Sequence, residues 1–188
     1  MSSRLFIENI DSEEHLLATA HPVDLSIVEG YSNANRRREV LAWRAIVRRE
    51  LGSEVVISYD ENGAPTLDNP HINIGVSHSR GVVAVMLSES PCAVDIEQAD
   101  RDFRRVAERY LSHSEYEIAR QYDLFAEMWC AKEALYKYHK KGSVDLVEDL
   151  AIVEYQTDSN TLVATILGGE PINVAIRREG TLAIALIG

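Results

Sequence analysis

Cys92-Ala93-Val94-Asp95-Ile96-Glu97 reads as a β-strand. Successive side chains of a strand point to opposite faces, so Cys92, Val94 and Ile96 face a core while Asp95 and Glu97 project together from the other side. Two convergent carboxylates are the oxygen donors that a hard cation such as Mg²⁺ accepts when water and a substrate phosphate complete its octahedron. Alone, Asp-x-Glu at a strand end is more often a solvated face, so the flanking sequence has to decide between the two.

Upstream, the runs 55–59, 71–76 and 82–87 are further short β-rich segments, separated by Asn62-Gly63 and by residues 77–81. Within the latter, Ser77-His78-Ser79-Arg80-Gly81 reads as a polar turn that offers hydroxyls, an imidazole and backbone amides to an anion. Ordinary turn chemistry accounts for such a segment equally simply. Over 33–51, Val40, Trp43, Val47 and Leu51 recur at three- and four-residue steps, which predicts an amphipathic helix capped by Ser32 or Asn33 and stopped by Gly52. Arg37, Arg44 and Arg48 share a face of it. A short strand at 4–7 and a short helix opening at Asp11-Ser12-Glu13-Glu14 precede it.

Downstream, a helix is expected from about 103 and a second at the capping box Ser112-His113-Ser114-Glu115. A long third helix over 124–140 is closed by Gly142. In it Leu124, Met128, Ala131, Leu135 and Tyr138 mark the buried stripe. Beside that stripe, Trp129, Glu133 and Lys137 stand four apart and form a ridge. Taken alone, Glu133 and Lys137 are an ordinary surface pair. Strands at 151–155, 162–166, 172–176 and 182–187 follow, and this mixed order predicts an α+β fold rather than a doubly wound sheet.

Composition narrows the function. The chain has 188 residues, 46% of them apolar, and 30 acidic against 19 basic side chains give a formal charge of −11. That field disfavours nucleic acid and anionic membranes, so a polyanionic ligand needs a local basic site. Cys92 and Cys130 are too few for a disulfide framework and lie in no zinc-type cluster, which suits reduced thiols. The N-terminus lacks a signal-peptide pattern and no apolar run is long enough to span a bilayer, so a cytoplasmic protein is expected.

Val76-Ser77-His78-Ser79, Ala93-Val94-Asp95-Ile96-Glu97 and Trp129-Cys130-Ala131-Lys132-Glu133-Ala134-Leu135-Tyr136-Lys137 occur in an order and at spacings that resemble the 4'-phosphopantetheinyl transferase superfamily, in particular its larger, surfactin-synthetase-activating type. The resemblance runs from about residue 36 to 147. It implies that the phosphopantetheine arm of coenzyme A is transferred to a serine of an apo acyl, peptidyl or aryl carrier protein, releasing 3',5'-ADP: a holo-[acyl-carrier-protein] synthase type of reaction that needs Mg²⁺. It also implies two similar lobes related by a pseudo-twofold axis, residues 1–90 and 91–188, with the active site between them in a monomer.

By the same resemblance Asp95, Glu97 and Glu133 hold Mg²⁺, and Ser77, His78, Lys132 and Lys137 contact the phosphates of coenzyme A. Glu133, Lys137 and Glu115 are the catalytic candidates, although a capping role explains Glu115 equally well. Arg44 matches the family arginine for the 3'-phosphate, with Arg37 and Arg38 as neighbouring candidates. Where many relatives read Gly-Lys-Pro this chain reads Gly63-Ala64-Pro65, which keeps Pro65 but removes a cation. That loss motivates the alternative of a non-catalytic coenzyme A-binding protein of the same fold. A different magnesium phosphohydrolase or nuclease suits the acidic charge poorly. Arg101, Arg104, Arg105 and Arg109 are candidates for docking the carrier.

Overall fold

The periodicities sort the chain into helices packed on antiparallel sheets, as a computed structural model shows; residues 3–140 and 144–188 are described. The chain divides into two units, Met1–Ser90 and Pro91–Gly188, each with a hydrophobic core of its own. Mixed helix and antiparallel sheet is the composition expected of an α+β protein.

The first unit runs β1 (Arg4–Asn9), α1 (Glu13–Thr19), α2 (Pro22–Val28), α3 (Ala34–Leu51), β2 (Ile57–Tyr59), β3 (Pro65–Leu67), β4 (Asn73–Ser79) and β5 (Val82–Ser88). Strands β1, β5 and β4 form an antiparallel sheet in that order, and β2 pairs with β3. Asn33 caps α3 by accepting from the amides of Asn35 and Arg36. Gly52 ends that helix at φ 105, a conformation that excludes most side chains. Val40, Trp43 and Val47 are buried against Val83, Val85 and Leu87, as the periodicity predicts.

Two local readings are corrected. Ser77, His78 and Ser79 are not a turn: they complete β4, with Ser77 opposite Ala84, His78 opposite Val83 and Ser79 opposite Val82. Their amides therefore belong to a strand, and the reversal is confined to Arg80 and Gly81, at φ 41 and 83. Two consecutive positive φ values are what a tight hairpin demands. Helix α2 gives no periodic signal because only seven residues form it, two of them buried; Pro22 at its start and the His21 ring accepting from the Val23 amide set its entry.

The second unit runs β6 (Ala93–Gln98), a 3₁₀ turn over Arg104–Arg109, α4 (His113–Tyr122), α5 (Phe125–His139), β7 (Leu150–Gln156), β8 (Thr161–Ile166), β9 (Ile172–Glu179) and β10 (Leu182–Ile187). Its five strands form one antiparallel sheet in the order β6-β10-β9-β8-β7. The helix expected from about 103 is this 3₁₀ turn. The predicted capping box at Ser112 is complete, the hydroxyl accepting from the Glu115 amide and the Glu115 carboxylate accepting from the Ser112 amide. Helix α5 ends with Lys140 left-handed at φ 53, and the stop assigned to Gly142 lies outside the described residues.

Met128, Ala131 and Leu135 are fully buried, and Cys130 and Ala134 join them, so the apolar face of α5 is broader than a single stripe. Neither cysteine is in a disulfide, and both are buried. Among the described residues no helix is long and apolar enough to cross a membrane.

Candidate active site

Strand β6 and helix α5 bring the acidic residues together. Along β6, Asp95 and Glu97 take one face while Val94 and Ile96 are buried in the unit. Helix α5 packs across β6 and β10, and its four-residue step carries Glu133 and then Lys137 along one ridge. Lys137 Nζ donates to Asp95 Oδ1 at 2.6 Å and to the Val94 carbonyl at 3.3 Å. Arg101 Nη1 donates to Glu97 Oε1 at 2.6 Å. Two of the three candidate metal ligands are thus paired with cations of the chain.

Glu133 reports the convergence electrostatically. Its carboxyl is held above the usual 4.5, first by burial, then by the negative charge of Asp95, with Lys137 pulling back and Glu97 adding to the rise. Beneath these residues the buried Cys130 thiol donates to the Ala183 carbonyl at 3.6 Å. Burial, with Asp95 beside it, keeps that thiol well above its ordinary 9.0, so it is a neutral packing group and not a nucleophile.

Three carboxylates within electrostatic reach suit a hard divalent cation in donor chemistry. Among the described residues, though, no three His, Cys, Asp or Glu side chains are arranged to hold a metal. Asp95 and Glu97 are turned toward Lys137 and Arg101. The donor types suit such a cation, but their present contacts do not form a site for one.

Lys132 and Glu115 do something other than meet phosphate or substrate. Lys132 has 0% exposure, and its ammonium pairs with Glu115 Oε1 at 2.6 Å while donating to the carbonyls of Leu146 and Leu150. Glu115 also accepts from the Ile152 amide at 2.7 Å and the Ser112 amide at 2.7 Å. Burial lowers the pKa of Lys132 and the Glu115 charge opposes that. With every oxygen and proton engaged inside the unit, the pair ties α4, α5 and β7 together. The capping explanation of Glu115 prevails over the catalytic one.

At the other end of the ridge, Trp129 stacks on Phe103 at 5.9 Å and meets Tyr110 edge-on at 5.1 Å. The Tyr110 hydroxyl donates to the carbonyls of Phe103 and Phe125. Such aromatic pairs contribute about 0.5–1.5 kcal/mol each beyond buried area and here fasten the segment after β6 to α5. Arg101 is on that segment, its guanidinium 5.1 Å from the Phe103 ring.

In the first unit the arginines of α3 divide differently from the expectation. Arg44 has 0% exposure and pairs with Asp24 at 2.6 Å, and Arg48 binds the other Asp24 oxygen at 2.6 Å. Arg44 is a structural cation beneath the surface and presents no face to a 3'-phosphate. Arg37 is engaged by Glu13 and the Tyr31 carbonyl, and Arg38 by the carbonyls of Ile10 and Asp11, so both fix the segments around α1.

Arg36, which sequence reasoning passed over, does meet a predicted site residue: its Nη1 is 3.0 Å from His78 Nε2, and Glu39 Oε1 is 3.3 Å from His78 Nδ1. The signal lay in the three-residue step from Arg36 to Glu39, which puts both on one face of α3. Ser77 is buried, whereas His78 is partly exposed. Pro65 opens β3 opposite Tyr59 and offers only apolar surface.

The second unit coincides with a family match: the model of the 4'-phosphopantetheinyl transferase superfamily matches residues 91–187. The chain belongs to that superfamily. It is similar to the 4'-phosphopantetheinyl transferase Sfp of Bacillus subtilis (strain 168), 29% identical over 109 residues that make up 53% of this chain and 49% of that protein. It is likewise similar to the 4'-phosphopantetheinyl transferase psf-1 of Bacillus pumilus, 29% identical over 96 residues, 47% of this chain and 41% of that protein. The matched stretch thus spans about half the length, or less, of these curated relatives.

Proposed function

We propose that the protein transfers the phosphopantetheine arm of coenzyme A to a serine of an apo carrier protein, with Mg²⁺ held by Asp95, Glu97 and Glu133. The observation that carries this reading is the meeting of Asp95, Glu97, Glu133 and Lys137 on β6 and α5, inside the stretch that matches the family. When bound, a divalent cation there neutralises the charge that builds on a cleaving pyrophosphate.

The residues of the chain supply the rest. Lys137 is the cation of the ridge with an exposed portion, and it is suited to a phosphate oxygen. Glu133, whose carboxylate is a stronger base than usual because burial and the Asp95 charge raise its pKa, is suited to accept the proton of the incoming serine hydroxyl. In the first unit, His78, Arg36 and Glu39 form a separate polar cluster. The bond formed joins the serine oxygen to phosphorus, the bond broken is the phosphoanhydride, and 3',5'-ADP departs. The chemistry is that of a holo-[acyl-carrier-protein] synthase. The same proposal includes the pseudo-twofold relation of the two lobes and a monomeric, cytoplasmic enzyme.

For the carrier, Arg104 and Arg105 line a surface depression of about 350 Å³ with Glu108, Leu111, His113 and Tyr116. Basic and apolar surface side by side is what an acidic partner needs in order to approach a chain of net charge −11. The test is mass spectrometry of a panel of apo carriers incubated with protein, coenzyme A and Mg²⁺. A mass gain of one phosphopantetheine arm on the acceptor serine is expected. No gain on any carrier, with coenzyme A bound tightly, would instead identify a non-catalytic coenzyme A-binding protein.

A further inference from the structure

Phe125 opens α5 and is buried, with 8% exposure. Two of the side chains that line the basic depression lean on its ring. The Arg104 guanidinium stands 5.6 Å from the ring centroid, within cation–π range, and the Tyr116 ring meets Phe125 edge-on at 5.4 Å. Arg104 comes from the 3₁₀ turn and Tyr116 from α4, so Phe125 is a support that two elements share. Its backbone is held as well. The Tyr110 hydroxyl, itself fully buried, donates to the Phe125 carbonyl at 3.0 Å and to the Phe103 carbonyl at 3.3 Å. No side chain caps the 3₁₀ turn, which leaves the placement of the exposed Arg104 to contacts of this kind.

We infer that Phe125 is a positioning residue for the apo carrier: its ring holds Arg104 and Tyr116 in place, so that the depression keeps basic and apolar surface side by side for an acidic partner. This inference rests on the docking surface proposed above and adds the residue that shapes it. Phe125 touches no substrate and acts through Arg104. A long side chain loses rotamer freedom when it engages a partner's carboxylate, and a guanidinium already stacked on a ring has lost part of that freedom beforehand. The same helix carries the acidic ridge: Glu133 stands eight residues on from Phe125, about 12 Å along the axis. Docking walls and reacting groups are thereby referred to one rigid element. A phenylalanine that only filled the core would act independently of Arg104.

A double-mutant cycle separates the two roles, with binding of fluorescently labelled apo carriers followed by anisotropy and binding of coenzyme A by calorimetry. Arg104→Met is expected to weaken carrier binding about 5-fold, for the loss of one rim charge, and Phe125→Leu about 3-fold, the range of an exposed cation–π contact. The double variant should stay near the 5-fold loss of Arg104→Met, because the ring then has no guanidinium to position. Phe125→Tyr, which keeps the ring, should bind the carrier like wild type, and coenzyme A affinity should be the same throughout. If circular dichroism shows Phe125→Leu to be unfolded, Phe125→Met takes its place in the cycle. Losses that multiply, to about 15-fold in the double variant, overturn the role of Phe125. So does a Phe125→Leu protein that binds the carrier like wild type, or one that loses coenzyme A affinity in parallel. Unaltered carrier binding by Arg104→Met, or a wild type that binds none of the carriers, overturns the docking surface itself.

Discussion

Glu133 sits where burial and two neighbouring carboxylates disfavour its charge, a placement that costs stability and therefore points to use. Its folded pKa is raised, so the unfolded chain ionises first: stability is present at low pH and is lost as pH rises through the Glu133 range, from 4.5 upward. Glu133→Gln removes that loss. Thermal unfolding at pH 7.5 should therefore show a higher midpoint for Glu133→Gln than for wild type, while carrier modification falls by roughly 10²-fold or more, as when one transition-state contact is deleted. A lower midpoint would mean that Glu133 is a stabilising partner. At this scale the sequence was informative where chemistry follows period: Asp95 and Glu97 two apart, Glu133 and Lys137 four apart. Arg44 and Lys132 misled because their partners, Asp24 and Glu115, lie 20 and 17 residues away with no periodic relation to betray them.

Two buried clasps join elements. In the first unit Asp24 of α2 takes Arg44 and Arg48 of α3. Burial raises the Asp24 pKa, but hydrogen bonds from Arg48 and Arg44 more than offset it and leave the carboxyl below 3.8. The stabilisation is accordingly full above that value and is lost as pH falls through the depressed one. Asp24→Asn should cost about 3–5 kcal/mol at neutral pH, because it strands a buried guanidinium, and should flatten the stability loss below about pH 4; urea titrations from neutral pH downward check both. In the second unit Lys132→Met alone should cost a similar ~3–5 kcal/mol, and adding Glu115→Gln should recover part of it, since the stranded charge is then removed. Strictly additive losses would contradict the clasp. The long helices α3 and α5 and the strands of the second unit were legible because their apolar positions recur. Helix α2 was not, being held by Pro22 and a tertiary ion pair, nor was the end of β4, because serines read as turn formers can close a strand when the next two residues take positive φ.

Across the whole molecule, the proposed docking of an acidic carrier on a chain of net charge −11 depends on where its arginines stand. Arg104→Glu with Arg105→Glu should raise the KM for an apo carrier about 10-fold, leave the KM for coenzyme A unchanged, and lessen the dependence on salt. Equal effects on both substrates would relocate the docking surface. The order of the three motifs along the chain was the clearest large-scale signal, whereas the division into two units with separate cores has no linker to mark it. The central claim is that Asp95, Glu97 and Glu133 hold a single divalent cation. Crystals grown with Mn²⁺ and coenzyme A, and measured for anomalous scattering, test it most directly. One manganese peak bonded to all three carboxylates is the predicted result; a peak elsewhere, or coenzyme A bound with no metal at those side chains, would contradict it.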